Sequence, residues 1–286
     1  MELLSPAKIN LFLHVTGKRS NGYHDLYMLV SAVTLFDRIT LDPDAENFTI
    51  SCSSPHIPTD ETNLAQRAAR LFKERLNVGG GVAIHLEKNI PAGAGLGGGS
   101  SNAATVLRGL NAYFNNPFSD QELISMGLTL GSDVPFFIHG RPAWVSGLGE
   151  KIEFCEKIKP YKVVIIFPGI GLSTAEVYKK LNFGLTKSEK KIKSPLLNKG
   201  LVDPVKHLSN DLEISAFSIC SDIKGLKDVL TIQNAEGVLM SGSGSSVFGL
   251  YSDGDHASAA CENIKKYALE QGGTKKWQVF LADIIM

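Results

Sequence analysis

The sequence predicts an α+β protein built in two parts, and three observations carry that expectation. Extended-type runs with period-two alternation dominate residues 1 to 52, helical spacing takes over between 60 and 131, and strands and helices alternate again after Pro160. With 286 residues the chain can form one large domain or two ordinary ones. The expected division is 1–156 and 157–286, with Pro160 marking the passage.

Residues 7 to 15 predict the first strand, with Ile9, Leu11, Leu13 and Val15 on one face and Lys8, Asn10, Phe12 and His14 on the other. Pro6 suits its start. Gly17 to His24 is a polar turn in which Asn21-Gly22 signals a hairpin. Leu26 to Phe36, Asp37 to Leu41 and Phe48 to Cys52 predict further strands. Asp60-Glu61-Thr62-Asn63 opens a helix with Leu64, Ala68, Leu71, Phe72 and Leu76 at helical spacing, ended by Asn77 and Gly79 to Gly81. A strand over 82–87 precedes a glycine-rich stretch and a helix presenting Ala103, Leu107, Leu110 and Phe114. Ser119-Asp120-Gln121-Glu122 is a capping-box pattern for a helix that stops near Gly131. Ala143 to Val145 and Lys151 to Cys155 predict strands around the turn Gly147 to Glu150.

In the second part, Tyr161 to Phe167 predicts a buried strand, and Ser173-Thr174-Ala175-Glu176 caps a helix containing Val177 and Tyr178. The stretch from Gly184 to Gly200, with Lys187, Lys190, Lys191, Lys193 and Lys199, predicts a solvated basic loop. Helices near 204–218 and 222–230, a strand over 237–240 running into Ser241 to Ser246, a strand over 247–251, a helix over 255–270 and a strand over 279–285 complete it.

Composition narrows the function classes. Hydrophobic residues make up 43% and charged residues 20%, which is a core-forming balance. Basic and acidic residues cancel at 29 each, so neither nucleic acid nor a membrane surface is an expected partner. Cys52, Cys155, Cys220 and Cys261 are scattered without a CxxC pair, which predicts free thiols in a reducing compartment. No apolar run approaches the roughly 18–20 residues of a membrane span, and the N-terminus matches neither a secretory signal nor a transit peptide. The expected location is cytoplasmic.

The stretch Pro91-Ala92-Gly93-Ala94-Gly95-Leu96-Gly97-Gly98-Gly99-Ser100-Ser101 packs five glycines into seven residues ahead of a helix. Backbone N–H groups opening onto a helix N-terminus favour an anion, and glycine lets that backbone approach it closely. A P-loop would need lysine after the last glycine, where this chain has Ser100. Gly93, Gly95 and Gly98 match GxGxxG literally, but Lys88-Asn89-Ile90-Pro91 separates the strand from the first glycine, contrary to a dinucleotide site. A flexible linker would lack the flanking strand and apolar-periodic helix. The expectation is a cradle for nucleotide phosphates.

Pro6-Ala7-Lys8-Ile9-Asn10-Leu11, the glycine stretch and Ser241-Gly242-Ser243-Gly244-Ser245-Ser246, in this order, resemble the GHMP small-molecule kinases, the superfamily of galactokinase, homoserine kinase and mevalonate kinase. Asn21-Gly22-Tyr23-His24, Gly97 to Ala104, Gly131-Ser132-Asp133-Val134-Pro135-Phe136-Phe137, Gly147 to Glu150 and Ser173 to Tyr178 resemble one branch, the 4-diphosphocytidyl-2-C-methyl-D-erythritol kinases of the non-mevalonate isoprenoid pathway. The resemblance runs from about residue 5 to 251. It implies an N-terminal domain like ribosomal protein S5, a ferredoxin-like C-terminal domain, and an active site in the cleft between them. It also implies ATP as phosphoryl donor and the 2-hydroxyl of the cytidine-linked sugar alcohol as acceptor.

The same resemblance implies roles residue by residue. Asp133 would be the general base and Lys8 its cationic partner; from the residues alone, Asp133 reads equally as a helix cap and Lys8 as a solvated strand lysine. Residues 91–101, with the hydroxyls of Ser100 and Ser101, would hold the ATP phosphates, with Asn63 and Lys88 beside the nucleotide. Asn10, Tyr23, His24, Thr174 and Tyr178 would contact the substrate, Tyr178 by stacking on cytosine. The opposing aromatic, six residues after the histidine in the family, is Val30 here, which leaves Tyr27, another ring or one-sided stacking. Mg²⁺ is expected with ATP through its phosphate oxygens, with no protein ligand assigned. The competing readings are a GHMP kinase for another small alcohol and a nucleotide-binding module without catalysis.

Overall fold

A long hairpin sets the frame of the first sheet. In the computed structural model, which describes residues 1–20, 22–181, 200–270 and 276–286, β1 runs over Glu2–Lys18 and β2 over His24–Asp42. They pair antiparallel from Glu2↔Thr40 to Lys18↔His24. The two strands expected over 26–36 and 37–41 are thus one, because Asp37 is wholly buried and not a surface break. The hairpin signal at Asn21-Gly22 is half outside the described residues, though Gly22 takes the positive φ of 85° that such turns need.

The register of this hairpin corrects the expected facing of β1. Asn10 pairs with Val30 and Phe12 with Leu29, so Leu11 is an extra residue bulged out of the ladder. A one-residue slip exchanges the faces beyond it. Ala7, Ile9 and Leu11 therefore share one core cluster with Phe12 packed against it, while Leu13 and Val15 cross to the other cluster. Lys8, Asn10 and Leu13 consequently face the same cavity. A second register shift falls at Pro6/Ala7, which accommodates a proline inside a strand and not at its start.

The remaining strands of this sheet are β3 (Thr49–Cys52), β4 (Ala83–Glu87), β5 (Ala143–Gly147) and β6 (Lys151–Phe154). Its main path is β3-β4-β2-β1, with the β5–β6 hairpin added to the His24 end of β2. Helices α1 (Leu64–Leu76) and α2 (Gly98–Tyr113) bury Ala65, Ala68, Phe72, Val106, Leu107 and Leu110 against Ile39, Leu41, Ile84 and Leu86 of the sheet. Helix α3 (Asp120–Leu130) starts with the expected capping box and leads through Gly131 to the short α4 (Val134–His139).

The second sheet has the order β11-β7-β10-β9, from β7 (Lys162–Phe167), β9 (Gly237–Met240), β10 (Val247–Tyr251) and β11 (Gln278–Asp283). Alternate residues of β7 bury on opposite sides. Val163 and Ile165 meet Ile9, Leu11 and Val33 of the first sheet, while Val164 and Ile166 join the cluster holding the helices over Asp222–Ile232 and Gly254–Glu270. The helix expected over 204–218 is divided. A 3₁₀ turn over Pro204–His207 gives way to β8 (Ser209–Asn210), which pairs in parallel with Phe12 and Leu13 of β1 before a helix over Glu213–Ile219. Among the described residues no helix is long and apolar enough to cross a membrane. The basic stretch 184–200 lies, except for Gly200, outside the described residues.

Candidate active site

The carbonyl oxygens of the glycine loop are held from behind by four hydrogen bonds from three distant segments. Leu172 N donates to Gly93 O at 3.0 Å, Ser246 N to Ala94 O at 3.1 Å, the Ser241 hydroxyl to Gly95 O at 2.9 Å and Lys8 N to Leu96 O at 2.9 Å. In a planar trans peptide the N–H lies opposite its C=O, so the amides of residues 94–97 point away from these anchors. Helix α2 begins at Gly98, earlier than the expected Ala103, and its opening bond is Ser101 N to Gly97 O at 2.9 Å. The amides of Gly98, Gly99 and Ser100 are thus the unpaired donors of its first turn. Residues 91–100 wall a cavity of about 470 Å³.

Glycine is required sterically at two of these positions. Gly95 has φ +75°, and a Cβ there would lie 2.1 Å from the Ser241 carbonyl oxygen. Gly97 has φ +72°, and its Cβ would lie 2.9 Å from the Phe137 ring and 3.0 Å from Lys8 Cγ. The Lys8 stem is therefore packed between the loop and α4.

Lys8, Asn10 and Asp133 line the same cavity. Lys8 is 5% exposed and donates to Asn10 Oδ1 at 2.5 Å; Asn10 in turn donates from its backbone to the Ser241 hydroxyl at 3.3 Å. Burial pulls the Lys8 ammonium below the ordinary lysine range, and the negative charge of Asp133 opposes that shift. Asp133 occupies the residue before α4, yet its carboxylate makes no cap hydrogen bond. The capping alternative for Asp133 is therefore not the arrangement present, and the solvated-lysine alternative for Lys8 is excluded by its burial.

A second, larger cavity of about 1320 Å³ adjoins the first and shares Leu26, Ser132, Leu148, Thr174 and Tyr178 with it. Tyr23, His24, Lys18 and Arg19 line its far side. His24 stacks on Tyr178 with centroids 5.0 Å apart and planes 22° from parallel. Burial and the Lys18 charge lower the His24 pKa, and burial raises that of the Tyr178 hydroxyl, so both rings face this cleft uncharged near neutrality. Thr174, at the first turn of α5 (Thr174–Lys179), shares a hydrogen bond with the Ser243 hydroxyl at 3.0 Å. Tyr23 is 65% exposed at the rim.

Val30 does not face this cleft. It is 4% exposed, pairs with Asn10 and Ala143, and packs in the core, so the ring opposite Tyr178 is His24 and not a side chain at position 30. Replacing Val30 by Phe is therefore expected to add no contact to a ligand in this cleft. The larger ring is expected to overpack the core and cost about 1–3 kcal/mol of stability, measured as a lower denaturation midpoint at unchanged slope.

Three other expected residues are occupied structurally. The Ser101 hydroxyl is wholly buried and accepts a hydrogen bond from Ser5 Oγ at 2.8 Å, so it turns inward, away from the cavity that Ser100 lines. Asn63 lines the cavity, but its oxygen accepts from Ala65 N at 2.9 Å and its amide donates to Pro58 O at 2.7 Å, making it the N-cap of α1. Lys88 lines the cavity with its ammonium paired to buried Asp37. The part of Ser241 in holding both Gly95 and Asn10 was missed from the sequence, although its glycine-serine run signalled a loop near the site.

Comparison with known proteins follows this geometry. The family model for the GHMP kinases N terminal domain matches residues 63–141, and that for the GHMP kinases C terminal matches 195–269. A protein of Syntrophotalea carbinolica described as 4-diphosphocytidyl-2-C-methyl-D-erythritol kinase is 44% identical over 91% of this chain and 93% of its own. One of Syntrophus aciditrophicus with the same description is 40% identical over 98% of each chain. A crystal structure of 4-(cytidine 5'-diphospho)-2C-methyl-D-erythritol kinase superposes with a TM-score of 0.80 at 36% identity, covering 100% of both chains. Homoserine kinase from Cytophaga hutchinsonii, 16% identical with a TM-score of 0.72 over 99% of this chain and 94% of its own, shares the fold. The chain belongs to the GHMP kinases, within the 4-diphosphocytidyl-2-C-methyl-D-erythritol kinase family, and is a small-molecule kinase of the two-domain GHMP fold.

Proposed function

We propose that the chain transfers the γ-phosphoryl group of ATP to the 2-hydroxyl of 4-diphosphocytidyl-2-C-methyl-D-erythritol, releasing ADP, in the non-mevalonate route to isoprenoid precursors. The observation that carries the reading is the convergence of buried Lys8, uncapped Asp133 and the amides of the glycine loop on one cavity. Relatives at 38–44% identity that are described as kinases of this alcohol support the substrate.

Phosphoryl transfer needs positioning and charge stabilisation more than covalent chemistry. The amides of residues 94–100 and the Ser100 hydroxyl hold the phosphates, placing the γ-phosphorus toward Lys8 and Asp133. Asp133 takes the hydroxyl proton as the alcohol oxygen bonds to phosphorus and the bond to the β–γ bridging oxygen breaks. Lys8 stabilises the negative charge of oxygen at that stage, and Asn10 fixes its ammonium. The cytidine end lies in the larger cavity along Tyr178, His24, Tyr23 and Thr174.

Among the described residues no group of three or more His, Cys, Asp or Glu is placed to hold a metal. Among the oxygen-bearing side chains lining the cavity, Asp133 and Ser100 fit an Mg²⁺ carried mainly by phosphate oxygens and water. When bound there it would neutralise phosphate charge. The division between the domains is placed near residue 156, and Asn63 acts by shaping the nucleotide end of the cavity.

The test is ATP consumption by purified protein with Mg²⁺ and a panel of alcohols. Turnover is expected with 4-diphosphocytidyl-2-C-methyl-D-erythritol and not with homoserine or mevalonate. Turnover with either of those alone would overturn the substrate while leaving the kinase family intact.

A further inference from the structure

Beneath the glycine loop lies a buried polar cluster that the transfer reaction itself does not use. Its centre is Asp37, in the second half of β2 and 0% exposed. One carboxylate oxygen accepts from Asn89 N and Ile90 N, both at 2.8 Å. The other accepts from Lys88 Nζ and from Asn102 Nδ2, the latter at 2.9 Å. Asn102 also donates to Ser5 Oγ at 2.9 Å and accepts from Lys88 Nζ at 3.0 Å, while Ser5 reaches the Ser101 hydroxyl.

The placement of these donors matters more than their number. Lys88, Asn89 and Ile90 are the residues entering the loop, and Asn102 lies one turn into the helix that leaves it. A single carboxylate therefore grips both ends of the segment 91–101. Ile90, 2% exposed, lies so near Gly98 that a Cβ added there would stand 3.0 Å from its side chain, so the residue held by Asp37 packs beside the first turn of α2.

We infer that Asp37 is a positioning residue for the donor nucleotide, acting through the backbone of residues 89–90 and through Asn102 to hold the loop amides in their phosphate-binding arrangement. The inference rests on the reading of this loop as the ATP cradle. It also assigns Lys88 a second duty as internal counter-charge, so that the lysine beside the cavity is shared with the protein and not given wholly to phosphate.

Asparagine in place of Asp37 keeps one acceptor oxygen but turns an NH₂ group toward two donors, either Lys88 Nζ and Asn102 Nδ2 or the two amides. Hydrogen bonds to a charged group are among the stronger ones in a protein. Loss of such bonds predicts that Asp37→Asn weakens Mg-ATP binding by roughly tenfold or more, measured by calorimetry without the alcohol. In turnover, KM for ATP should rise by a similar factor while KM for the alcohol stays within about twofold. Asn102→Ala, which frees only the helix end, should give a smaller shift in the same direction and keeps the inference testable if Asp37→Asn fails to fold. A merely structural role would lower the fraction of active protein and leave both KM values unchanged, and that outcome overturns the inference. Failure of the unaltered protein to bind Mg-ATP would instead overturn the nucleotide reading on which it rests.

Discussion

Asp133→Asn is expected to reduce turnover by about 10²–10⁴-fold, the usual contribution of a positioned general base, while Mg-ATP binding measured by calorimetry stays near normal. The asparagine is nearly isosteric but takes no proton from the alcohol. Because the Asp133 side chain makes no cap bond to α4, its replacement removes no structural contact of that kind. Stability should therefore change little, and the loss should fall on kcat. Turnover within a few-fold of the unaltered enzyme would remove Asp133 from the mechanism and force the search for another proton acceptor along the cavity.

Lys8→Met is expected to lower kcat by about 10²-fold or more, the scale seen when one preorganised stabiliser of transition-state charge is removed. Methionine preserves most of the packed stem between the glycine loop and Phe137, so the cradle should persist and KM for ATP should move far less than kcat. The pH dependence supplies an independent readout. Burial lowers the Lys8 pKa from its ordinary 10.5, so the ammonium loses its proton at a lower pH than an exposed lysine. Its cationic form is the one the proposed mechanism uses; activity of the unaltered enzyme should therefore fall on an alkaline limb below 10.5. Lys8→Met should keep its residual rate across that range. An identical alkaline limb in both proteins would show that another group titrates there.

Part of this site could be read from residue types and spacing. A glycine run opening a helix announces itself locally, whereas Lys8, Asn10 and Asp133 are singled out by the family resemblance, because residue types alone leave a solvated lysine and a helix cap as equal readings. The structure gathers Lys8, Asn10, residues 91–100 and Asp133 around one cavity. What could not be read depends on pairing between distant segments. The bulge at Leu11 exists only relative to β2, so alternation within residues 7–15 placed Leu13 on the wrong face. Asp37 resembles a surface break between two strands until its donors, which lie 51 to 65 residues away, are brought to it. Ser100 and Ser101 are equivalent as letters, yet consecutive positions on a helix differ by about 100°, so one hydroxyl faces the cavity and the other the core. Position 30 is on the same strand as His24, Leu26 and Met28, which line the cavities, but its pairing with Asn10 and Ala143 buries it in the core beyond them.

The four anchors behind the glycine loop have a consequence for how the enzyme comes into being. Three of them belong to residues 172, 241 and 246, which leave the ribosome long after the loop itself. Until they arrive, the carbonyls of residues 93–95 have no partners and the glycines between them have every conformation open to them. Contacts between segments this far apart also form late in folding, because the entropy of closing the intervening chain must be met first. On the reading of this loop as the ATP cradle, a nascent chain that holds Lys8, the glycines and Asp133 but not residues 172, 241 and 246 is expected to lack the arranged phosphate site.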